Sequence, residues 1–171
     1  METSWSSVVA ELLAHTIQEL VEADARDEAL AIVKPSRGVA MFKTSPVMVP
    51  TGRAWRLGVL LLDRDGGLFA TGEVTRAIVP GIAVTNRSAA AERRRDFRRA
   101  AARGSFREGE VINHGYVPIA LDEENLLAGS GPIEVLDGQL VVRLEAGTLG
   151  HGTVPLDRYL RDRAELLTFG S

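Results

Sequence analysis

Arg53-Ala54-Trp55-Arg56-Leu57-Gly58-Val59-Leu60-Leu61-Leu62 runs into Asp63-Arg64-Asp65-Gly66-Gly67 and then into Leu68-Phe69-Ala70-Thr71-Gly72-Glu73-Val74-Thr75-Arg76-Ala77-Ile78. A continuous apolar run of strand length, a charged turn closed by two glycines and a second β-compatible run predict a hairpin over 53–78. The first arm lacks period-two alternation, as expected of a strand covered on both faces. The second carries Thr71, Glu73 and Thr75 on one side and can face water there. The hairpin is therefore expected in the middle of a sheet.

Toward the N-terminus, Ser45 to Gly52 is uncharged and bracketed by Pro46 and Pro50, which reads as a loop or edge segment. Before it, Ala29–Val33 and Val39–Lys43 read as short strands around a turn at Lys34-Pro35-Ser36-Arg37-Gly38. Val8/Val9, Leu12/Leu13, Ile17 and Leu20/Val21 recur at helical spacing, predicting a helix over 6–25 with Ser4, Ser6 and Ser7 as capping candidates. Toward the C-terminus, Val79-Pro80-Gly81 ends the second arm, and Ser88 caps an arginine-rich helix over 88–103. Glu110–Ile112 and Tyr116–Leu121 look extended around Asn113-His114-Gly115, and Asp122 caps a short helical turn. Within 131–144, Asp137-Gly138 joins two apolar runs in a two-residue hairpin. A glycine-rich loop, Gly147 to Gly152, then leads to a helix over 155–167. This order predicts one α+β domain spanning 1–171, a mainly antiparallel sheet built on the two hairpins, with about three helices.

Composition narrows the function classes. Of 171 residues 45% are hydrophobic and 25% charged, a globular balance that excludes disorder as the dominant state. The absence of cysteine excludes a disulfide framework, a thiolate nucleophile and a zinc–cysteine site. No apolar run approaches the ~20 residues needed to span a bilayer, and the N-terminus has no secretory pattern, so a cytoplasmic protein without membrane contact is expected. The cations are nearly all arginine, with Lys34 and Lys43 the exceptions, a bias that suggests a bacterial source. Charge is segregated. Residues 1–30 hold seven acids against Arg26, residues 87–107 hold eight arginines against two acids, and residues 108–140 hold seven acids and no base. Such segregation suggests acidic and basic elements that face each other, and arginines of the helix over 88–103 are expected to pair with carboxylates from 108–124 or 11–28.

Motifs for nucleotide, zinc and serine hydrolase chemistry are missing. Asp63 to Gly67 has part of a calcium-loop pattern without its third oxygen ligand or terminal glutamate, so a plain turn is expected and no metal or cofactor. Asp122-Glu123-Glu124 reads as helix capping rather than paired catalytic carboxylates. Among the histidines, His15 lies in the first helix and reads as a surface residue, whereas His114 and His151 stand in glycine-containing segments. Asn113, His114 and Tyr116 offer an amide, an imidazole and a phenol close together, while Arg94 and Arg98 offer guanidinium groups that match paired anionic oxygens. These residues, with His151, are the candidate ligand site.

The leading reading is a non-catalytic module that acts by binding, with a small anionic ligand, or by self-association as a homodimer. The alternative is a small hydrolase or transferase acting on an anionic metabolite, with His114 as base, Tyr116 as donor and Arg94, Arg98 or Arg56 holding the anion. A further alternative is phosphate or nucleic-acid binding by the arginine-rich segment 88–107. Nucleic acid is disfavoured by a pI near 5.7 and by the scarcity of aromatic residues.

Overall fold

The computed structural model describes residues 4–35, 45–81, 88–144 and 152–169. The strand expected over 39–43 lies outside them. Along the chain run α1 (Trp5–Glu22), β1 (Glu28–Lys34), β2 (Val47–Leu57), β3 (Leu60–Asp63), β4 (Leu68–Ala70), β5 (Glu73–Arg76), α2 (Ala89–Ala102), β6 (Val111–His114), β7 (Val117–Pro118), α3 (Glu123–Ala128), β8 (Ile133–Leu136), β9 (Gln139–Leu144), β10 (Gly152–Pro155) and α4 (Leu156–Thr168). The fold is α+β. Its strands form a seven-stranded sheet in the order β5-β6-β1-β2-β3-β4-β7 and a three-stranded sheet in the order β10-β9-β8. Because β1 pairs with β6 in parallel, the larger sheet is mixed rather than built from hairpins alone. Contacts divide the chain into two compact units, Met1–Asp27 with Trp55–Ala70 and Val117–Ser171, and Glu28–Ala54 with Thr71–Tyr116.

In the first unit, α1 forms where its periodicity predicts. Ser4 accepts a hydrogen bond from the Ser7 amide at the N-cap, and Val9, Leu13, Thr16 and Leu20 make the buried stripe. After the helix, Asp24 turns through the left-handed region (φ 49°), and the Ala25 carbonyl then accepts a 2.9 Å hydrogen bond from the buried indole of Trp55. Trp55 packs with Leu57, Leu60, Leu62, Leu156 and Leu160 in one apolar core.

The apolar run over 53–62 is two strands, not one. Gly58 adopts φ 66°, and the Tyr159 hydroxyl donates to the Leu57 carbonyl and accepts from the Val59 amide, each at 2.9 Å. A Cβ on Gly58 would collide with that hydroxyl, so glycine is required here by both conformation and space. The Asp63–Gly67 turn is an Asx-type turn, in which one Asp63 oxygen accepts from the amides of Asp65 (2.9 Å) and Gly67 (2.7 Å).

The Asp137-Gly138 hairpin forms as predicted, with φ 50° and 74°, the positive values that a type I′ turn needs. Arg143 and Glu134 on its two strands form an ion pair at 2.5 Å. Downstream, β10 pairs with β9 between the glycine-rich loop expected to end at Gly152 and the last helix, a strand the sequence pattern did not predict. α4 then buries Leu156, Tyr159, Leu160 and Ala164.

The second unit overturns two readings. Ser45 to Gly52 is not a loop, because Val47 onward belongs to β2, paired antiparallel with β1. Pro50 is accommodated by a register shift between Leu30 and Ala31, where a residue without an N–H can sit in a ladder. The second arm over 68–78 splits at Thr71-Gly72, and β5 pairs with β6 rather than with the first arm. Gly72 passes so close to the backbone of His114 and Gly115 that a Cβ there would overlap it. In this unit a small core of Ala29, Ala31, Met48, Ala77 and Ile112 receives Ala100 and Ala101 of α2, with Phe97 and Phe106 packed at its margin. α3, expected as a single turn, belongs to the first unit and makes four helices among the described residues.

Candidate ligand cleft

The arginine-rich helix is the element that builds the site. Ser88 caps α2 by accepting from the Ala91 amide at 3.3 Å. Its alanines let the helix lie close on the sheet, so Phe97 reaches the imidazole of His114 with ring centroids 4.4 Å apart. Arg94 and Arg98, one turn apart and flanking Phe97, stand on the wall of a cavity of about 420 Å³ whose other side is β5 and the segment Ile78–Gly81. Three guanidinium groups, of Arg76, Arg94 and Arg98, line it against one carboxylate, that of Glu73. Phe97, Ile78, Val79 and Pro80 supply its apolar surface.

Three further arginines of this segment are used internally. Arg99 pairs with Asp96 at 2.8 Å, Arg95 donates to the Gly81 carbonyl at 2.5 Å, and the C-cap residue Arg103 donates to the Pro46 carbonyl at 2.9 Å. The pairing expected between arginines 94–99 and the acids of 108–124 or 11–28 is not formed among the described residues. Its main acceptor is already taken. Glu110 binds Arg53 at 2.5 Å and also accepts from the Arg107 amide at 3.0 Å. Burial pushes the Glu110 carboxyl up, but the bonds from Arg53 and Arg107 and their charges outweigh it and hold the group below the usual carboxylate range.

The structure separates the Asn113, His114 and Tyr116 cluster. Asn113, with no exposed surface, donates to a Glu28 carboxylate oxygen at 2.7 Å and to the Ala29 carbonyl at 3.4 Å, a bond that ties β6 to β1. His114 points to the opposite face, toward α2, and is 3% exposed. Its Nε2 has no hydrogen-bond partner among the described residues. Burial lowers its pKa, Glu73 on the neighbouring strand opposes that, and burial prevails. The imidazole is therefore neutral near pH 7, and it does not itself line the cavity that Phe97 borders. Tyr116 shares a 2.7 Å hydrogen bond with Thr51. His151 lies outside the described residues. Arg56 belongs to the other unit.

Elsewhere the acids and His15 take structural places. Asp122 accepts from the Asn125 amide and side chain at the start of α3, which lowers its pKa, and Glu123 accepts from the Ser6 amide at 3.1 Å. His15 is an exposed neighbour of Glu19 at 3.3 Å. Among the described residues no group of three ligating side chains could hold a metal, and no helix is long and apolar enough to cross a membrane.

Sequence pattern singled out Arg94 and Arg98 but not the strand opposite them. Glu73, Arg76 and Ile78–Gly81 join the cleft only because β5 turns away at Gly72 to pair with β6. The glycine was visible in the sequence; the close backbone approach that requires it was not. Comparison with protein-family models, with curated proteins and with solved structures finds no match to this chain.

Proposed function

We propose that this protein is a non-catalytic binding module whose cleft between β5 and α2 holds an anionic ligand. The observation that carries the reading is Arg94 and Arg98 on one cavity wall, neither hydrogen-bonded nor ion-paired with another described residue. Like charges at i and i+4 repel by a few tenths of a kcal/mol, roughly, and an anion between them removes that cost while a guanidinium pair matches its oxygens. An imidazole buried behind Phe97 and absent from the cavity's lining supports binding over acid–base catalysis, because a general base must come within about one water of the proton it takes. Arg95, Arg99 and Arg103 turned to partners within the unit weigh against a continuous nucleic-acid surface.

A thermal-shift series with glutarate and with inorganic phosphate tests this. A ligand at a hundredfold excess over its Kd stabilises by about 2.7 kcal/mol, roughly 5–20 °C in Tm depending on the size of the cooperative unit. The double variant Arg94→Ala/Arg98→Ala is expected to fold normally and lose the shift. A flat response to both anions in the wild-type protein would sink the reading.

We also propose that the chain forms a two-fold homodimer. Support comes from Leu166 and Phe169 near the C-terminal end of α4, the latter 86% exposed, an apolar surface that a second copy would cover. Sedimentation equilibrium is expected to give twice 18.4 kDa at micromolar concentration, and a single-chain mass would overturn it.

A further inference from the structure

Resting on the anion reading and deepening it, we infer that the carboxylates the cleft receives belong to an extended peptide, which adds to β5 as a further strand. Among the described residues β5 is the last strand of the seven-stranded order. All four of its residues line the cavity. Successive side chains of a strand point to opposite faces, so a cavity touched by every one of them must run along the strand's edge rather than across one face.

The hydrogen bonds show which backbone groups that edge offers. The Ala77 amide donates to the Glu110 carbonyl at 3.0 Å, toward β6. By alternation, with Thr75 opposite Ile112 and Glu73 opposite His114, the N–H and C=O groups of Val74 and Arg76 turn away from β6. The Arg76 carbonyl is taken by the Ile78 amide at 2.8 Å. Among the described residues the Val74 amide, the Val74 carbonyl and the Arg76 amide remain, the ladder that an added strand uses.

Side-chain chemistry selects the occupant. A residue of the added strand opposite Val74 would share Val74's face, where that side chain is 48% exposed. Its two neighbours would point to the α2 side, where Arg94 and Arg98 stand. Glu73, opposite His114, points to that side as well, where the two guanidinium groups outnumber its carboxylate, and the pattern read out is acid, apolar, acid. A second copy of β5 would bring another Arg76, and the arginines of another α2, against these, so charge favours an acidic partner over self-pairing. The opposite end of the sheet offers no equivalent, since β7 is two residues long and one is Pro118.

The probe is the acetylated, amidated pentapeptide Glu-Val-Glu-Val-Glu, titrated calorimetrically beside glutarate. Two N-methylated versions accompany it, one methylated at the valine amides and one at the glutamate amides. The pentapeptide is expected to bind at least about tenfold more tightly than glutarate. Methylation at valine, whose amides face β5, should cost at least about tenfold, and methylation at glutamate should cost little. Val74→Pro removes an N–H that faces away from β6, and should lose the pentapeptide while keeping glutarate; Arg94→Ala/Arg98→Ala should lose both.

If the two methylated peptides bind alike, or the pentapeptide binds no better than glutarate, strand addition is overturned while anion binding stands. If neither pentapeptide nor glutarate binds, strand addition fails, and the anion reading fails with it when inorganic phosphate does not bind either. A dimer that Val74→Pro dissolves would show a second copy on this edge and overturn the proposal. Should Val74→Pro fail to fold by circular dichroism, the methylated peptides decide alone.

Discussion

Tyr159 shows how much one side chain can carry. Its ring is buried among leucines, and its hydroxyl serves a carbonyl and an amide on either side of the Gly58 turn. Tyr159→Phe keeps the ring and strands both backbone groups, at a cost expected near 2 kcal/mol or more, measured by urea unfolding. His114 gives a pH signature. Burial holds its folded pKa below the ordinary histidine value of 6.5, so unfolded chains bind more protons just below that pH. Stability is therefore expected to fall as pH drops through 6.5 toward the folded pKa. The neutral variant His114→Gln should lose this part of the pH dependence in a Tm series, and an unchanged profile would show that another group is responsible. Glu110 acts at lower pH. Its folded pKa is below the usual value of 4.5, so the stability it contributes is complete above that pH and is lost as pH falls through the folded pKa.

At the scale of elements, helices were legible and strand partners were not. Ser4, Ser88 and Asp122 cap α1, α2 and α3 as the sequence predicts, because a cap needs only a side-chain oxygen and an amide within three residues. Ser88→Ala is expected to cost about 1 kcal/mol by denaturant unfolding, and to weaken anion binding if the helix start frays. The Asp137-Gly138 hairpin was equally local. The first hairpin was only partly so. Its charged turn at Asp63–Gly67 forms, but Gly58 breaks one arm and Gly72 breaks the other, and each break answers a distant group, the Tyr159 hydroxyl in one case and the backbone at His114 and Gly115 in the other. Ser45 to Gly52 was misread for a related reason, since an uncharged stretch with two prolines carries no sign that β1 will pair with it.

For the whole molecule, the segregated charges suggested acids and bases meeting along the chain, and that inference failed for α2. Charge runs say which elements are charged, but pairing depends on which surfaces the fold presents to each other, and Glu110 is met by Arg53 from β2 before any arginine of 94–99 can claim it. This leaves Arg94 and Arg98 directed to the cleft, the feature on which the proposed binding rests. Such an arrangement predicts salt sensitivity: glutarate affinity is expected to fall several-fold between about 0.01 and 0.15 M ionic strength, where the Debye length shortens from roughly 30 to 8 Å. A salt-independent affinity would mean that the arginines do not carry the binding. The α+β class, the helix starts, the Asp-Gly hairpin, the absence of thiol chemistry and the arginines worth watching could be read from the residues alone, because periodicity, caps and turns act within a few residues. The packing of distant segments settled that β1 runs parallel to β6, that Asn113 and His114 face opposite ways, and that β5 forms the wall opposite α2. Those outcomes depend on contacts between residues far apart in the chain, and no local pattern encodes which of several compatible strands will be neighbours.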